Sequence, residues 1–365
     1  MKYMKQNGFE VTMMSADGSE INELISTEGC PHIIIPLTRK ITPLKDLKAL
    51  WSLYKHLKKI KPDIIHSHTP KAGIIAMISS WLARVPIRIH TVAGLPLQTT
   101  SGLKRQILIL VEKLTYFFAT NVWPNSQSLI QFITEEKFCS KNKISIVGQG
   151  SSNGIDINEF NETSLDVNKL KEIKQKINFD EKNFYLLFVG RVVKDKGIIE
   201  LVETFKRLQQ QFDGIRLIIV GKLEQDLDPL PIDTLKEIRN NKSIFEVGFS
   251  YYVKYYMNLS DLFVFPSHRE GFPNVPMQAG LMNCPVIASR ITGNIDIIDH
   301  KINGLLFEKG NVDELEKCIL ELKSNTEKAN KFRQALSQKI TNDFSRKSVQ
   351  KTILNKYHSL LIQEE

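Results

Sequence analysis

Two series of strand–helix alternation, separated by a polar stretch at residues 161–182, constrain this 365-residue chain more than any other feature. Parallel strands cannot be joined by tight hairpins. Each needs a crossover, and a helix is the usual one, so alternation predicts parallel sheets covered on both faces. The first series has short apolar runs at Phe9–Ser15, His32–Pro36, Asp63–Ser67, Ile87–Thr91, Asn121–Pro124 and Ile144–Gly148. Helical spacing lies between them at Pro43–Ile60, Ala72–Ala83, Leu103–Ala119 and Gln127–Glu136. The second series has strands at Tyr185–Val189, Arg216–Val220, Ile244–Val247, Leu262–Phe265, Pro285–Ala288 and Gly304–Phe307. Its helices include Gly197–Phe212 and Asp313–Lys323, and an amphipathic tail runs from Phe344 to Leu361. The expected architecture is therefore α/β with two Rossmann-like domains facing a cleft. The N-terminal domain is 1–160, the linker 161–183 and the C-terminal domain 184–343, with helix 344–361 packing back on the first. Met1–Asn7 reads as the end of a helix stopped by Gly8, so the first strand of the N-terminal domain is expected to be missing.

Several classes are excluded early. Cys30, Cys139, Cys284 and Cys318 form no C-x-x-C pair, which argues against a zinc ribbon or a disulfide framework. No run of about 18 apolar residues exists, and MKYMKQNGFE has no apolar core of a signal peptide. No G-x-G-x-x-G follows a strand, which disfavours a dehydrogenase. The net charge of +9 is concentrated: Arg39–Lys61 holds eight basic residues against Asp46 alone. Such a patch suggests an anionic partner, but no nucleic-acid module accompanies it.

Two segments carry chemistry. In Phe188-Val-Gly-Arg-Val-Val-Lys-Asp-Lys-Gly197 a strand ends at Gly190 and a helix opens at Gly197, with Arg191, Lys194 and Lys196 between them. Cations beside a helix N-terminus suit a pyrophosphate. In Pro266-Ser-His-Arg-Glu-Gly-Phe-Pro-Asn-Val-Pro-Met-Gln-Ala-Gly280 a strand runs into a Gly/Pro loop bearing Glu270, and a helix follows with Gln278 one turn inside it. Glu270 has the chemistry to accept bonds from sugar hydroxyls, while Gln278 also reads as an ordinary polar helix residue. Asp226-Leu-Asp228 has the form of a D-x-D metal motif but lies in a Pro-flanked loop, so no metal is expected there.

The two segments, about 80 residues apart, resemble the donor site of family 4 retaining glycosyltransferases of the GT-B fold. The likeness extends through Ile89-His-Thr91, Ser152-Asn-Gly-Ile-Asp156 and the Phe344–Leu361 tail, and points to the bacterial members that build surface polysaccharides. The resemblance implies that Arg191 and Lys196 bind the donor diphosphate and that Glu270 is the first acid of an E-x7-E motif facing the donor sugar. Gln278 occupies the place of the second, ribose-binding acid. It also implies that Gly190, Phe272, Asn274 and Val275 bring backbone to the sugar and phosphates, and that Val247 and Phe249 flank the nucleobase. His90 is expected to face the donor sugar as a catalytic residue, with His68 and Gly94 on the acceptor side.

The function that the resemblance implies is transfer of a sugar, with retention, from a nucleotide sugar such as a UDP-sugar to a lipid-linked or growing saccharide. No cofactor and no metal is expected, because Arg and Lys neutralise the leaving diphosphate. The alternatives are a catalytically silent polysaccharide-assembly partner, or a sugar-nucleotide 2-epimerase on the same fold. The expected partners are the donor, a lipid-linked acceptor and an anionic membrane surface met through 43–60. The expected location is cytoplasmic and peripheral, at the inner face of the plasma membrane. Core packing is the expected fate of the apolar stripe on Leu103–Ala119.

Overall fold

Helical crossovers return the chain to the same end of each sheet, and both halves use them throughout. The computed structural model describes residues 1–38, 42–226 and 228–364. Arg39 and Lys40 of the basic segment, and Leu227 of the D-x-D segment, lie outside the described residues. The chain forms two units, Met1–Ser152 joined by the residues from Val349 onward, and Asn153–Ser348.

The first unit has two separate parallel sheets. Strands β1 (Met13–Ser15) and β2 (His32–Ile34) pair with each other, while β3 (Ile64–Ser67), β4 (Ile87–Val92) and β5 (Asn121–Pro124) pair in that order. The other edge of β3 has no strand partner among the described residues. Its helices are α1 (Lys2–Gln6), α2 (Ile21–Glu28), α3 (Pro43–Ile60), α4 (Pro70–Ala83), α5 (Gly102–Phe118) and α6 (Gln127–Glu135). The period of two along β4 separates two cores. Ile87 and Ile89 pack with Trp123 and Val147 beneath Ile353, Tyr357 and Leu360 from the end of the chain, while Val92 joins the core made with α3–α6. The expected strand at Ile144–Gly148 does not form. Only Ile144 bridges to Val122, and the chain turns at Gly148 with φ +58°.

Two helices sit differently from their hydrophobic stripes. In α3 the buried positions are Ala49, Leu53 and Leu57, whereas Leu44, Leu47 and Trp51 stand 86%, 64% and 54% exposed. In α5 the buried residues are Glu112, Thr115 and Tyr116, and Leu103, Leu110 and Phe117 are out in solvent. The core packing expected for the α5 stripe is therefore corrected. The phase is set by Tyr116, which fills the space beside His90 and Phe138 and turns the leucines outward.

The second unit is built on one six-stranded parallel sheet. Its strands are β6 (Phe184–Val189), β7 (Ile215–Val220), β8 (Ile244–Gly248), β9 (Leu262–Phe265), β10 (Val286–Ser289) and β11 (Leu305–Phe307), ordered β11-β10-β9-β6-β7-β8. Apart from the edge strand β8, nearly every strand residue is buried, the pattern of a sheet covered on both faces. The covering helices are α7 (Val167–Lys176), α8 (Ile198–Gln211), α9 (Ile232–Asn240), α10 (Val253–Asn258), α11 (Asn274–Leu281), α12 (Asn294–Ile297), α13 (Val312–Ser324) and α14 (Thr326–Asp343). Within 161–183, helix α7, capped by Asp166, buries Ile173, and Ile177 follows it into the same core. Helix α14, absent from the sequence reading, packs on α11. A Cβ at Gly280 would meet Ile340 and Leu336 at 2.6 and 2.7 Å. The last helix, α15, spans Arg346–Glu364 rather than beginning at Phe344, which is buried in the second unit and accepts the Ile155 N–H on its carbonyl.

Candidate active site

Strands β6 and β9 are neighbours, with Leu187 in register with Phe263, so the two sequence segments leave the sheet side by side. Their loops are then locked together. Gly197 adopts φ +71°, and a Cβ there would lie 2.1 Å from the Pro266 carbonyl oxygen, so only glycine fits. Asp195 pins the pair: its carbonyl accepts the His268 N–H at 2.9 Å, and its carboxylate meets Arg269 at 3.0 Å. Asp228 accepts the Asp195 N–H at 2.6 Å. This member of the D-x-D segment thus holds the cation-bearing loop in place.

The cations already have partners. Lys196 Nζ lies 2.5 Å from Glu270 Oε1, with both side chains about 15% exposed, and Arg191 Nη1 lies 3.2 Å from Glu224 Oε2 in a more open setting. Two carboxylates thus stand where the sequence reading expects a diphosphate. An incoming polyanion competes with them for charge-assisted bonds, and only the more exposed Arg191–Glu224 pair is cheap to separate. A Cβ at Gly221 would fall 1.7 Å from the Gly190 carbonyl oxygen, so the loops after β6 and β7 touch backbone to backbone beside these groups.

The other expected donor residues divide. Phe272 is 8% exposed and packs at a tilt on Phe344 with centroids 5.0 Å apart, so its ring is core and only its backbone is available. Asn274 is exposed and Val275 half-buried at the start of α11. Gln278 is half-buried, and its side chain has no hydrogen-bond partner among the described residues. Val247 packs on the core at the end of β8, and beyond Gly248 (φ +77°) Phe249 stands 67% exposed against the edge of Tyr251.

The first unit brings its histidines together differently from expectation. His90 does not end β4: the strand continues to Val92, and the residues at its end are Ala93 and Gly94. His90 is 1% exposed, its Nδ1 lies 2.8 Å from Ser67 Oγ, and its ring presses on α4, where a Cβ at Gly73 would meet it at 2.4 Å. Burial pushes its imidazole down to about 3, so it is neutral. Within the first unit His90 is thus held by Ser67 and by packing under α4. His66 points to the opposite face, with Nδ1 2.5 Å from the Tyr357 hydroxyl and Nε2 2.6 Å from Thr91 Oγ1. Burial first, then the neighbouring His68 and His90, hold it well below the usual imidazole range. His68 is exposed and stacks on His66 with centroids 4.2 Å apart, so His68 and Gly94 are the parts of this expected set with open surface.

Sequence reasoning missed Glu224, Asp195, Ser67 and Glu112. Glu112 is 3% exposed, Oε2 and the Tyr116 hydroxyl lack partners among the described residues, and burial pushes its carboxyl up to about 7. The available sign was a single acid on an otherwise apolar helix.

Comparison with known proteins shows the family and the fold. The family profile described as Glycosyl transferase 4-like domain matches residues 1–150, and that described as Glycosyl transferases group 1 matches residues 170–339. The chain is 34% identical to the capsular polysaccharide biosynthesis glycosyltransferase CapM of Staphylococcus aureus, over its whole length and 94% of the relative. It is 29% identical to the UDP-Gal:alpha-D-GlcNAc-diphosphoundecaprenol alpha-1,3-galactosyltransferase of Escherichia coli, over 86% of this chain and 80% of that one. Among solved structures, Anabaena Alr3699/HepE in complex with UDP-glucose superposes with a TM-score of 0.81 at 20% identity, covering 98% of this chain and 94% of the other. The fold is that of the GT-B glycosyltransferases.

Proposed function

The chain belongs to the group 1 glycosyl transferases, and from that premise we propose that it moves a hexose from a UDP-sugar, with retention, to a polyprenyl-diphosphate-linked saccharide during capsule or related surface-polysaccharide synthesis. The observation that carries this reading is the pair Arg191 and Lys196 on the loop that follows β6, beside the end of β9, each balanced by a carboxylate. The donor diphosphate takes over both cations. Breaking the sugar–phosphate bond leaves an added negative charge on the β-phosphate, which Arg191 and Lys196 stabilise where it develops. Because these side chains supply that charge, transfer proceeds without a divalent cation. Glu270, released from Lys196, accepts hydroxyl hydrogen bonds from the donor sugar. Gln278 binds the ribose with one donor and one acceptor, and Phe249 offers its face to the base. The acceptor hydroxyl attacks from the side the nucleotide leaves, and the departing phosphate takes its proton.

The UDP-galactose relative acts on a diphosphoundecaprenol-linked sugar, which supports a lipid-linked acceptor here. No helix among the described residues is long and apolar enough to cross a membrane. We assign a peripheral position at the inner face of the plasma membrane through Lys45, Lys48, Lys55, Lys58 and Lys59. All five are exposed on α3, where each residue near an anionic surface contributes about 1 kcal/mol.

The test is a panel of UDP-sugars with a polyprenyl-diphosphate-linked acceptor, with and without EDTA. Radiolabel should pass to the lipid fraction from one donor, with acceptor required and EDTA harmless. Epimerised nucleotide sugar formed without acceptor, or no turnover of any donor, overturns the proposal.

A further inference from the structure

Among the described residues, three acid–base pairs join the loop after β6 and the start of α8 to the loop after β9. Asp195 meets Arg269 at 3.0 Å, Lys196 meets Glu270 at 2.5 Å, and Glu200 Oε1 meets His268 Nε2 at 2.8 Å. They form three rungs between the same two segments of the second unit.

The rungs are not equivalent. In the function proposed above, the donor diphosphate takes Lys196, so the Lys196–Glu270 rung opens. Glu270 then has no other side-chain partner among the described residues, yet its carboxylate has to stay where the sugar hydroxyls arrive. The Asp195–Arg269 rung does not fix that position independently. Asp195 sits in the same short turn, Lys194–Lys196, as the lysine that changes partner. Glu200 stands on firmer ground, in the first turn of α8, whose Ile198, Leu201, Val202 and Phe205 are buried in the core.

Glu200 also directs its charge at one residue. Its Oε1 is bonded to His268, while Oε2 is buried and unpaired among the described residues. Burial raises its carboxyl, but the bond from His268, its own N–H and nearby Lys194 outweigh that and hold it below its ordinary value. An ionised carboxylate can only accept, so His268 donates its Nε2–H. The backbone N–H of His268 donates to the Asp195 carbonyl at 2.9 Å. Ring and backbone of His268 are therefore both held, two residues before Glu270. A buried oxygen left unpaired costs stability, so packing alone does not account for a glutamate at this place.

We propose that His268 is a positioning residue for the donor sugar: braced on Glu200, it keeps the Glu270 carboxylate in place while Lys196 passes to the diphosphate. This rests on the donor site proposed above and deepens it, by separating the groups that hold the nucleotide from those that hold the sugar. His268 acts through Glu270 and not by touching the donor.

The test compares affinities for UDP and for the tightest-binding member of a UDP-sugar panel, by calorimetry. His268→Phe keeps a ring and removes the N–H. It should weaken UDP-sugar binding about tenfold, the scale of a misplaced contact, and leave UDP affinity and the melting temperature unchanged. His268→Gln, which keeps a side-chain donor, should recover most of the loss. Glu200→Leu breaks the same rung from the helix side and should reproduce the His268→Phe pattern. In a Glu270→Ala background, His268→Phe should change UDP-sugar affinity by less than about twofold, because the group it positions is gone. Equal losses for UDP and UDP-sugar, the same loss with and without Glu270, or no loss in either single variant overturns the proposal. Failure of the transferase reading would show separately, as this pattern of binding with no sugar transferred by the unmodified protein. A protein that binds neither UDP nor any UDP-sugar overturns both.

Discussion

At the carboxyl ends of the second unit's strands stand Arg191, Lys196, Glu224 and Glu270, all ionisable and paired. Along the corresponding strands of the first unit lie Ser67, His90 and Thr91, buried, and His66, held neutral and bonded to Thr91 and Tyr357. The second unit sets its polar groups as ion pairs at the strand ends, and its sheet is continuous through six strands. The first unit spends them on internal bonds across a three-stranded sheet and leaves its apolar surplus outside, on α5. The same alternation of strands and helices thus supports an electrostatic site in one unit and a packed polar cluster with an apolar exterior in the other.

The largest effect should come from breaking the charged side of that contrast. Arg191→Ala or Lys196→Ala should cut transfer by about 10²–10³, because each removes a charge-assisted contact of about 2–4 kcal/mol to the leaving phosphate. Steady-state turnover checks this, and a wild-type rate in both variants removes the donor-site assignment. In the first unit the counterpart is Gly73→Ala, whose methyl would press on the His90 ring at 2.4 Å. Overpacking of this kind costs about 1–3 kcal/mol. A lower melting temperature with unchanged UDP affinity by calorimetry is the expected pair of results, and a loss of UDP affinity would blur the division of labour.

A smaller effect carries a pH signature. The Glu112 carboxyl is raised in the folded protein from its ordinary 4.5 to about 7. Its favourable contribution is therefore complete below about pH 4.5 and is lost as pH rises to about 7. Glu112→Gln should stabilise the protein by about 1–2 kcal/mol at pH 8 and make little difference at pH 4.5. The buried imidazoles run the other way. With His90 lowered to about 3, its contribution is complete above about pH 6.5 and fades as pH falls toward 3. Thermal melts across this range on wild type and Glu112→Gln separate the two, and a pH-independent difference would show that Glu112 is already paired. The smallest effect is expected for Gln278→Glu, a change of a few-fold toward tighter donor binding, because a carboxylate accepts from both ribose hydroxyls. A large loss of affinity without unfolding would give Gln278 another role.

Much of the second unit was legible in the sequence because its signals are local. Gly190, Arg191, Lys196 and Gly197 fall within eight residues, and a strand–loop–helix places them with no long-range information. Glu224 and Asp228 were not legible as parts of the site, since only the pairing of β6 with β7 brings their loop to Arg191 and Asp195. Helix α14 was passed over because four apolar residues, Ala329, Phe332, Leu336 and Ile340, are all that mark its buried face among polar neighbours. The surroundings of His90 were hidden for a different reason. A histidine near the end of an apolar run looks the same whether the strand stops there or continues for two more residues, and here it continues.

By itself the sequence determined the alternation, and with it the parallel sheets, the two-part organisation and the loop that carries Arg191 and Lys196. These follow from hydrophobic period and from glycine and proline placement, which act over a few residues. Tertiary structure alone decided which side of each element faces inward. The apolar stripe of α5 was read as core, and the fold turned it out because Tyr116 and Glu112 fill the space beneath the helix. The sequence marks His90 as a strand histidine, and only the fold sets its ring against Gly73. A stripe on a helix records that one face is apolar, but which face is buried depends on what lies beneath it, and those neighbours come from distant parts of the chain.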